Sequence, residues 1–151
     1  PPLHQSLLSA ENAVASIAQA GDDIAVVVEL FIQSGTVDVH VGMIVLHALD
    51  TFGRGDDELG EKLMGNFLST LPELGESLWR VILLNGGVKL AATPGKALDS
   101  LKALENAGTD VLVCGTCLDF YGLLEAKQAG QTTNMLDVVT SLALADKVIR
   151  P

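Results

Sequence analysis

Residues 111–117, Val111-Leu112-Val113-Cys114-Gly115-Thr116-Cys117, form a short apolar run that passes directly into a pair of cysteines. An apolar run without polar alternation is typical of a strand buried on both faces of a parallel sheet. Thr116 and Asp119 have the spacing of a capping box, which predicts that a helix begins there. A buried strand followed at once by a helix indicates the α/β class. We therefore predict that Cys114 and Cys117 lie on a loop between the carboxyl end of a parallel strand and a helix N-terminus.

Strand and helix patterns alternate over the rest of residues 42–151. Apolar runs predict strands at 43–46, 81–84 and 148–149, and helical spacing of apolar residues predicts helices over 58–71, 94–107, 117–129 and 136–145. Strands joined by helices of this length form right-handed crossovers, so the strands lie parallel to one another. The predicted fold class is α/β, a three-layer α/β/α domain with a mostly parallel sheet.

Residues 1–41 show a different pattern, a short helix followed by a β-hairpin. Positions 9–20 predict the helix, and 23–32 and 36–41 predict the hairpin, one face of which is polar. About 40 residues are too few to enclose a core of their own. The apolar hairpin face is therefore expected to pack against a second copy, which favours a homo-oligomer, or against residues 42–151 of the same chain. No linker separates the hairpin strand at 36–41 from the first parallel strand at 43–46. Either these two strands form one long bent strand, or the sequence omits a connection between them.

The chain is strongly acidic. Nine Lys and Arg face nineteen Asp and Glu, for a net charge of -10, so the phosphate backbone of a nucleic acid would be repelled. Hydrophobic residues make up 48% and charged residues 19% of the chain, which excludes intrinsic disorder. No apolar run approaches the roughly 20 residues of a membrane span, and no charged-then-apolar leader opens the sequence. We therefore expect a cytoplasmic protein that binds neither nucleic acid nor a membrane.

Cys114 and Cys117 are the strongest chemical signal in the sequence. Two cysteines three residues apart close too small a loop to staple a fold, and without a secretory signal they are expected to be reduced and reactive. At a helix N-terminus the free amides and the helix dipole favour a thiolate. Asp119 opposes that effect, and we expect the net change in the thiol pKa to be downward. Cys114 precedes the predicted cap and is expected to be the more accessible sulfur.

A metal site would need two ligands besides the cysteines. The histidines of the chain are His4, His40 and His47, and only His47 is predicted to lie at the same sheet edge as the cysteines. A packed or solvated ring is the simpler interpretation of His47, with a catalytic base as the alternative. We therefore expect no metal and no cofactor.

Two further loops follow predicted strands and share that edge of the sheet. The segment 53–58, GRGDDE, resembles a phosphate loop but lacks the Gly-Lys-Ser/Thr ending, and its acids suit the positive N-terminus of the next helix. The segment 85–87, NGG, is either a turn that needs positive φ or a backbone cradle for a small anion. The candidate substrate-binding residues are Gly53, Gly55, Asn85, Gly86, Gly87, Lys89 as the nearest cation, and Thr116.

Taken together, these motifs resemble the DsrE-like C-terminal domain of the YedF family. The matching segments are TFGRGDDELG at 51–60, LNGGVKL at 84–90, CGTCLDFY at 114–121 and TNM at 133–135. The opening segment resembles the second half of a TusA-like (SirA-like) domain, whose first half, with its Cys-Pro-x-Pro motif, is absent. The resemblance implies a partial TusA-like segment over 1–41 and a DsrE-like domain over 42–151.

The YedF family is described as sulfurtransferase-like and is linked to selenium metabolism, so the resemblance implies a sulfur or selenium relay. Relatives of the DsrE and TusD type carry their reactive cysteine eight positions before a glycine, a spacing that Cys114 and Gly122 share. Cys114 is thus the implied persulfide carrier, with Cys117 as a resolving thiol, whereas Tyr121 stands where the family has an arginine. The implied partners are a cysteine desulfurase or a Tus- or Dsr-type relay protein, and other copies of the chain.

Two other functions stay open at the level of sequence. The same cysteine pair could serve a thiol–disulfide oxidoreductase, since both activities need an accessible thiolate with a second thiol beside it. A non-enzymatic subunit that binds a small ligand or acts as a scaffold in a sulfur-relay complex is the third possibility. Persulfide loading separates the first function from the others, and reduction of a disulfide substrate separates the second.

Overall fold

A five-stranded sheet forms the centre of the computed structural model, which describes residues 42–151. The helix and hairpin predicted for residues 1–41 lie outside the described residues. The strands are β1 (Met43–His47), β2 (Leu78–Leu83), β3 (Asp110–Cys114), β4 (Gln131–Thr133) and β5 (Lys147–Ile149). Their order across the sheet is β4-β3-β2-β1-β5, and every neighbouring pair is parallel. The predicted α/β class is confirmed, and the sheet is parallel throughout.

Four α-helices connect the strands. They are α1 (Asp57–Thr70), α2 (Lys96–Asn106), α3 (Gly115–Phe120) and α4 (Met135–Leu144), with 3₁₀ segments at Leu71–Ser77 and Asn85–Ala91. The Asp56 carboxylate accepts a hydrogen bond from the backbone N–H of Leu59 and caps α1, and Asn134 caps α4 in the same way through Asp137. Over residues 42–151, no helix combines the length and the apolar character that crossing a bilayer requires.

The two faces of the sheet are covered by different helices. On one face the strand residues pack against α1 and α2, in a core that includes Val45, Val81, Val113, Met64, Leu68, Leu101 and Leu104. On the opposite face Ile44, Leu46, Ile82 and Leu112 pack against Val138 of α4. Successive residues of β1 to β3 thus enter separate cores, which is why these strands read as continuous apolar runs. The arrangement is the predicted three-layer one.

The helix after the cysteines differs from its prediction at both ends. It begins at Gly115, one residue before Thr116, and Cys114 is the N-cap residue without a side-chain capping bond. It ends at Phe120, where the sequence pattern predicted continuation to residue 129. Gly122 has a φ of 66°, and this left-handed conformation stops the helix because it reverses the backbone direction. The predicted Thr116 capping box is therefore wrong.

Candidate functional site

The parallel sheet brings the loops after β1, β2 and β3 to one edge. The backbone N–H of Asn85, after β2, donates to the Sγ atom of Cys117 at 3.1 Å. The Nζ atom of Lys89 donates to the Oδ2 atom of Asp50, after β1, at 3.0 Å. These two contacts place the cysteine pair, the 85–91 segment and the loop after β1 in one continuous region, as predicted from the carboxyl ends of the strands.

The two cysteines lie at the junction of β3 and α3 with no loop between them. Cys114 is the last residue of β3 and its side chain is only 4% exposed. Cys117 is the third residue of α3 and is half-buried, and both thiols are free. The predicted place at a strand-to-helix junction is thus found. The predictions that the cysteines lie on a loop and that Cys114 is the more accessible sulfur are wrong. Cys114 belongs to the core on the α1–α2 face of the sheet. Strand alternation alone would place it with Leu112 on the opposite face, but Cys114 ends β3 and is the N-cap of α3, where the chain leaves the strand.

The protonation of Cys117 is controlled by burial and by its partner thiol. Burial raises the pKa of Cys117, and Cys114 raises that pKa further through a hydrogen bond and through its charge, while the Asn85 amide lowers it. The upward influences are larger, so the expected lowering of the pKa by the helix terminus is contradicted. One backbone amide does not compensate for desolvation together with a second sulfur.

Asn85 and Tyr121 connect the cysteines to Lys89. The hydroxyl of Tyr121 donates to the Oδ1 atom of Asn85 at 2.9 Å, and the Nζ atom of Lys89 lies 5.0 Å from the centre of the Tyr121 ring. Asp50 raises the pKa of Lys89 through a hydrogen bond and charge attraction, so Lys89 is charged at neutral pH. Tyr121 therefore occupies, with its ring and hydroxyl, the space between the cationic Lys89 and the loop that contacts Cys117.

Gly87 is needed for close packing between the loops, whereas a Cβ atom on Gly86 would meet only ordinary contacts, the nearest at 3.6 Å from the Ala48 carbonyl oxygen. Neither has positive φ, whereas Asn85 does, at 45°. A Cβ atom on Gly87 would lie 2.5 Å from the carbonyl oxygen of His47, far inside the contact distance. Both glycines are buried, and their backbone packs against the end of β1. The predicted need for a positive φ in this turn is met by Asn85 and not by the glycines.

His47 is the buried polar residue of this edge. It is 1% exposed, and its Nε2 atom has no hydrogen-bond partner. The ring packs edge-on against Phe67 at 5.5 Å between ring centres, and burial lowers the pKa of His47 to about 4. His47 is therefore a neutral, packed histidine at physiological pH, which was the simpler interpretation of its sequence position.

The remaining candidate residues lie away from the cysteine contacts. Gly53 has a φ of 73°, and nothing would touch a Cβ atom placed there or at Gly55. Thr116 is exposed on α3. The acidic residues after Gly55 lie at the start of α1, with Asp56 as its cap. This confirms the prediction that these acids suit the positive N-terminus of a helix. Among residues 42–151, no cluster of three or more His, Cys, Asp or Glu side chains is arranged to hold a metal ion.

Comparison with known proteins identifies a fold. No family model matches the chain, and no curated protein matches it either. Among solved structures, the YchN protein from E. coli is similar with a TM-score of 0.56 and 19% sequence identity, over 73% of this chain and 99% of that chain. YchN has a DsrE-like fold. The five parallel strands and their helices therefore form a DsrE-like α/β fold.

Proposed function

We propose that this protein is a sulfur-relay protein in which the Cys114/Cys117 pair carries sulfane sulfur or selenium as a persulfide-type adduct. The observation that supports this most directly is a pair of free, interacting thiols at a strand–helix junction of a DsrE-like fold. We assign the carrier role to Cys114 and the resolving role to Cys117. Burial of Cys114 suits a carrier, because a buried persulfide is protected from water and from unrelated thiols.

The proposed transfer is an exchange at sulfur. The thiolate of Cys114 attacks the outer sulfur of a donor persulfide, the donor S–S bond breaks, and the donor leaves as a thiolate. Cys114 then carries the outer sulfur, which an acceptor thiolate removes by the same reaction. Alternatively, the thiolate of Cys117 attacks the inner sulfur, which forms the Cys114–Cys117 disulfide and releases hydrosulfide. A cellular dithiol then supplies the two electrons that restore both thiols. We propose a cysteine desulfurase or a Tus- or Dsr-type relay protein as the donor.

The function is tested by intact-protein mass spectrometry after incubation with a cysteine desulfurase and cysteine. We expect a mass gain of about 32 Da, one sulfur atom, in the wild type and none in Cys114→Ser. Cys117→Ser should load and should keep the added sulfur longer, because the resolving thiol is missing. If Cys114→Ser loads and Cys117→Ser does not, the two roles are reversed.

A thiol–disulfide oxidoreductase would behave differently in the same set of variants. It would reduce an insulin disulfide when supplied with a dithiol, and the activity would require both cysteines. No mass gain in the wild type together with insulin reduction would contradict the relay and favour this second function. Neither activity would leave the non-enzymatic binding or scaffold role.

A further inference from the structure

A cavity of about 610 Å³ opens beside the cysteine region, bounded by α1, the start of α2 and the 85–91 segment. Neither cysteine lines it. The lining residues are Asp50, Glu61, Lys62, Met64, Gly65, Asn66, Lys89, Leu90, Thr93, Pro94, Gly95, Lys96 and Ala97. Its volume falls in the range of roughly 300–1,000 Å³ that is typical of small-molecule sites. The sequence patterns did not indicate it, because its residues come from four separate segments.

The charge of the cavity is opposite to that of the protein. Three of the nine basic residues of the chain, Lys62, Lys89 and Lys96, line it together with two acids, Asp50 and Glu61. The lining therefore carries a formal charge of 3 − 2 = +1 in a chain whose net charge is -10. Such a local excess of positive charge attracts anions.

Lys96 is the cation of the cavity that is paired with a neutral group. Lys62 is paired with Glu58, and Lys89 is paired with Asp50. The Nζ atom of Lys96 donates instead to the amide oxygen Oδ1 of Asn66 at 2.7 Å. An ammonium group has three donors, so two N–H groups of Lys96 stay available for a ligand while its positive charge is not neutralised by a carboxylate.

Lys96 is also held in position. A Cβ atom on Gly65 would lie 3.2 Å from the Cδ atom of Lys96, so the aliphatic part of the lysine packs directly on the backbone of α1. Lys96 is exposed, but the bond of its head to Asn66 and the packing of its stem on Gly65 favour one orientation before a ligand arrives. Binding an anion then costs less conformational entropy than it would at a mobile surface lysine.

Part of the remaining lining is apolar and suits the body of an organic molecule. Met64, Leu90, Pro94 and Ala97 supply this surface. We propose that the cavity binds a small organic anion, a carboxylate or phosphate monoester with an apolar body, and that Lys96 binds its oxyanion. The proposal does not rest on the sulfur-relay function, since no cysteine takes part in it.

The test is a titration of the ¹⁵N-labelled full chain with phenyl phosphate and benzoate, followed through backbone amide shifts. We expect saturable shifts at Gly65, Gly95 and Ala97, which line the cavity. Lys96→Gln should weaken binding about tenfold, the loss of one charge-assisted hydrogen bond, while Lys96→Arg should retain most of it. The matched control is Lys102→Gln, which removes a lysine from the same helix but outside the cavity and should bind as the wild type does.

Three results would overturn the proposal. Equal binding of neutral benzyl alcohol would show an apolar pocket without anion selectivity. An equal loss of affinity in Lys102→Gln and Lys96→Gln would show a general charge effect. The absence of saturable shifts in the millimolar range, with the wild-type spectrum well dispersed, would show that there is no site. Loading of sulfur on the cysteines is a separate readout, so failure here leaves the relay function standing.

Discussion

Cys117 is a thiol whose protonation depends on its neighbour. Its pKa is raised by burial and by Cys114, against the lowering by the Asn85 amide. Removing Cys114 takes away the hydrogen bond and the neighbouring charge, so Cys114→Ala should lower the pKa of Cys117 towards its ordinary range. The measurement is the pH dependence of the alkylation rate by iodoacetamide, whose midpoint should move to lower pH in the variant.

Thr116→Ala is the control for that experiment. Thr116 is exposed on the same helix, between the two cysteines, and its hydroxyl plays no part in the contacts of Cys117. The alkylation midpoint of Cys117 should be the same in Thr116→Ala as in the wild type. A midpoint that does not move in Cys114→Ala would show that burial alone determines the pKa.

His47 makes the stability of the domain depend on pH. Its folded-state pKa of about 4 lies below the unfolded value of 6.5, so the unfolded chain binds more protons between these values and folding is disfavoured as the pH falls. The contribution of His47 is complete above pH 6.5 and declines towards pH 4, by roughly 3 kcal/mol in all. Urea unfolding of the wild type at a series of pH values should show this decline.

His47→Gln isolates the histidine from the other groups that titrate in acid. Its amide is polar like the imidazole but does not titrate, so the difference in unfolding free energy between wild type and variant should change from pH 7 to pH 4. His47→Leu, which removes the unpaired Nε2 atom altogether, serves as a second variant. A difference that stays constant with pH for both variants would contradict the assignment.

At the level of single residues, the sequence identified the positions but not their environments. The cysteines, Asn85 and Lys89 were predicted to share one edge, and they do, because parallel strands fix where loops meet. Burial of Cys114 and the partner of Lys96 depend on how helices pack over that edge. Those contacts join residues far apart in the chain, so local spacing carried no signal of them.

At the scale of secondary structure, Arg80 connects three elements, β2, β3 and α4. Its guanidinium donates from β2 to Asp110 on β3 at 3.3 Å, and to Asp137 and the buried Ser141 on α4. Arg80→Met should therefore lower the free energy of unfolding by about 1–2 kcal/mol, because it breaks a partly buried network. Urea unfolding at neutral pH measures the change.

Lys62→Met provides the comparison for Arg80→Met. It removes an ion pair with Glu58 on one face of α1, in which both side chains are largely exposed, at 69% and 80%. An exposed pair of this kind contributes less than about 0.5 kcal/mol. If the two variants lose the same stability, the Arg80 network does not connect the elements in the way described.

The elements that sequence predicted well are those with a strong apolar pattern. The strands at 43–46, 81–84 and 148–149 and the helix at 94–107 were found within a few residues of their predicted bounds. β4 was missed because Gln131, Thr132 and Thr133 are polar, and its place at the sheet edge comes from pairing with β3. The helix after the cysteines was overextended, since Gly122 ends it through backbone conformation and not through a change in hydrophobicity.

At the scale of the whole molecule, the feature that bears on assembly is an apolar stripe on α4, which the rest of residues 42–151 leaves exposed. Met135, Leu136 and Val139 are 57%, 77% and 57% exposed, whereas Val138 of the same helix is buried against the sheet. Leu136 and Val139 are three residues apart and so lie on one side of the helix. An exposed apolar surface of this kind is typical of a protein interface, so it supports the expectation of a homo-oligomer.

The last prediction follows from that stripe. We expect light scattering at micromolar concentration to give a mass above the 15.8 kDa of one chain, and Leu136→Asp with Val139→Asp to reduce it to the monomer, because a carboxylate cannot be buried unpaired in an interface. Leu59→Asp is the matched control, since Leu59 is also exposed, at 55%, but lies on α1. A monomeric wild type would contradict the oligomer. Dissociation by Leu59→Asp alone would instead place the interface on α1, beside the cavity that we propose to bind an anion.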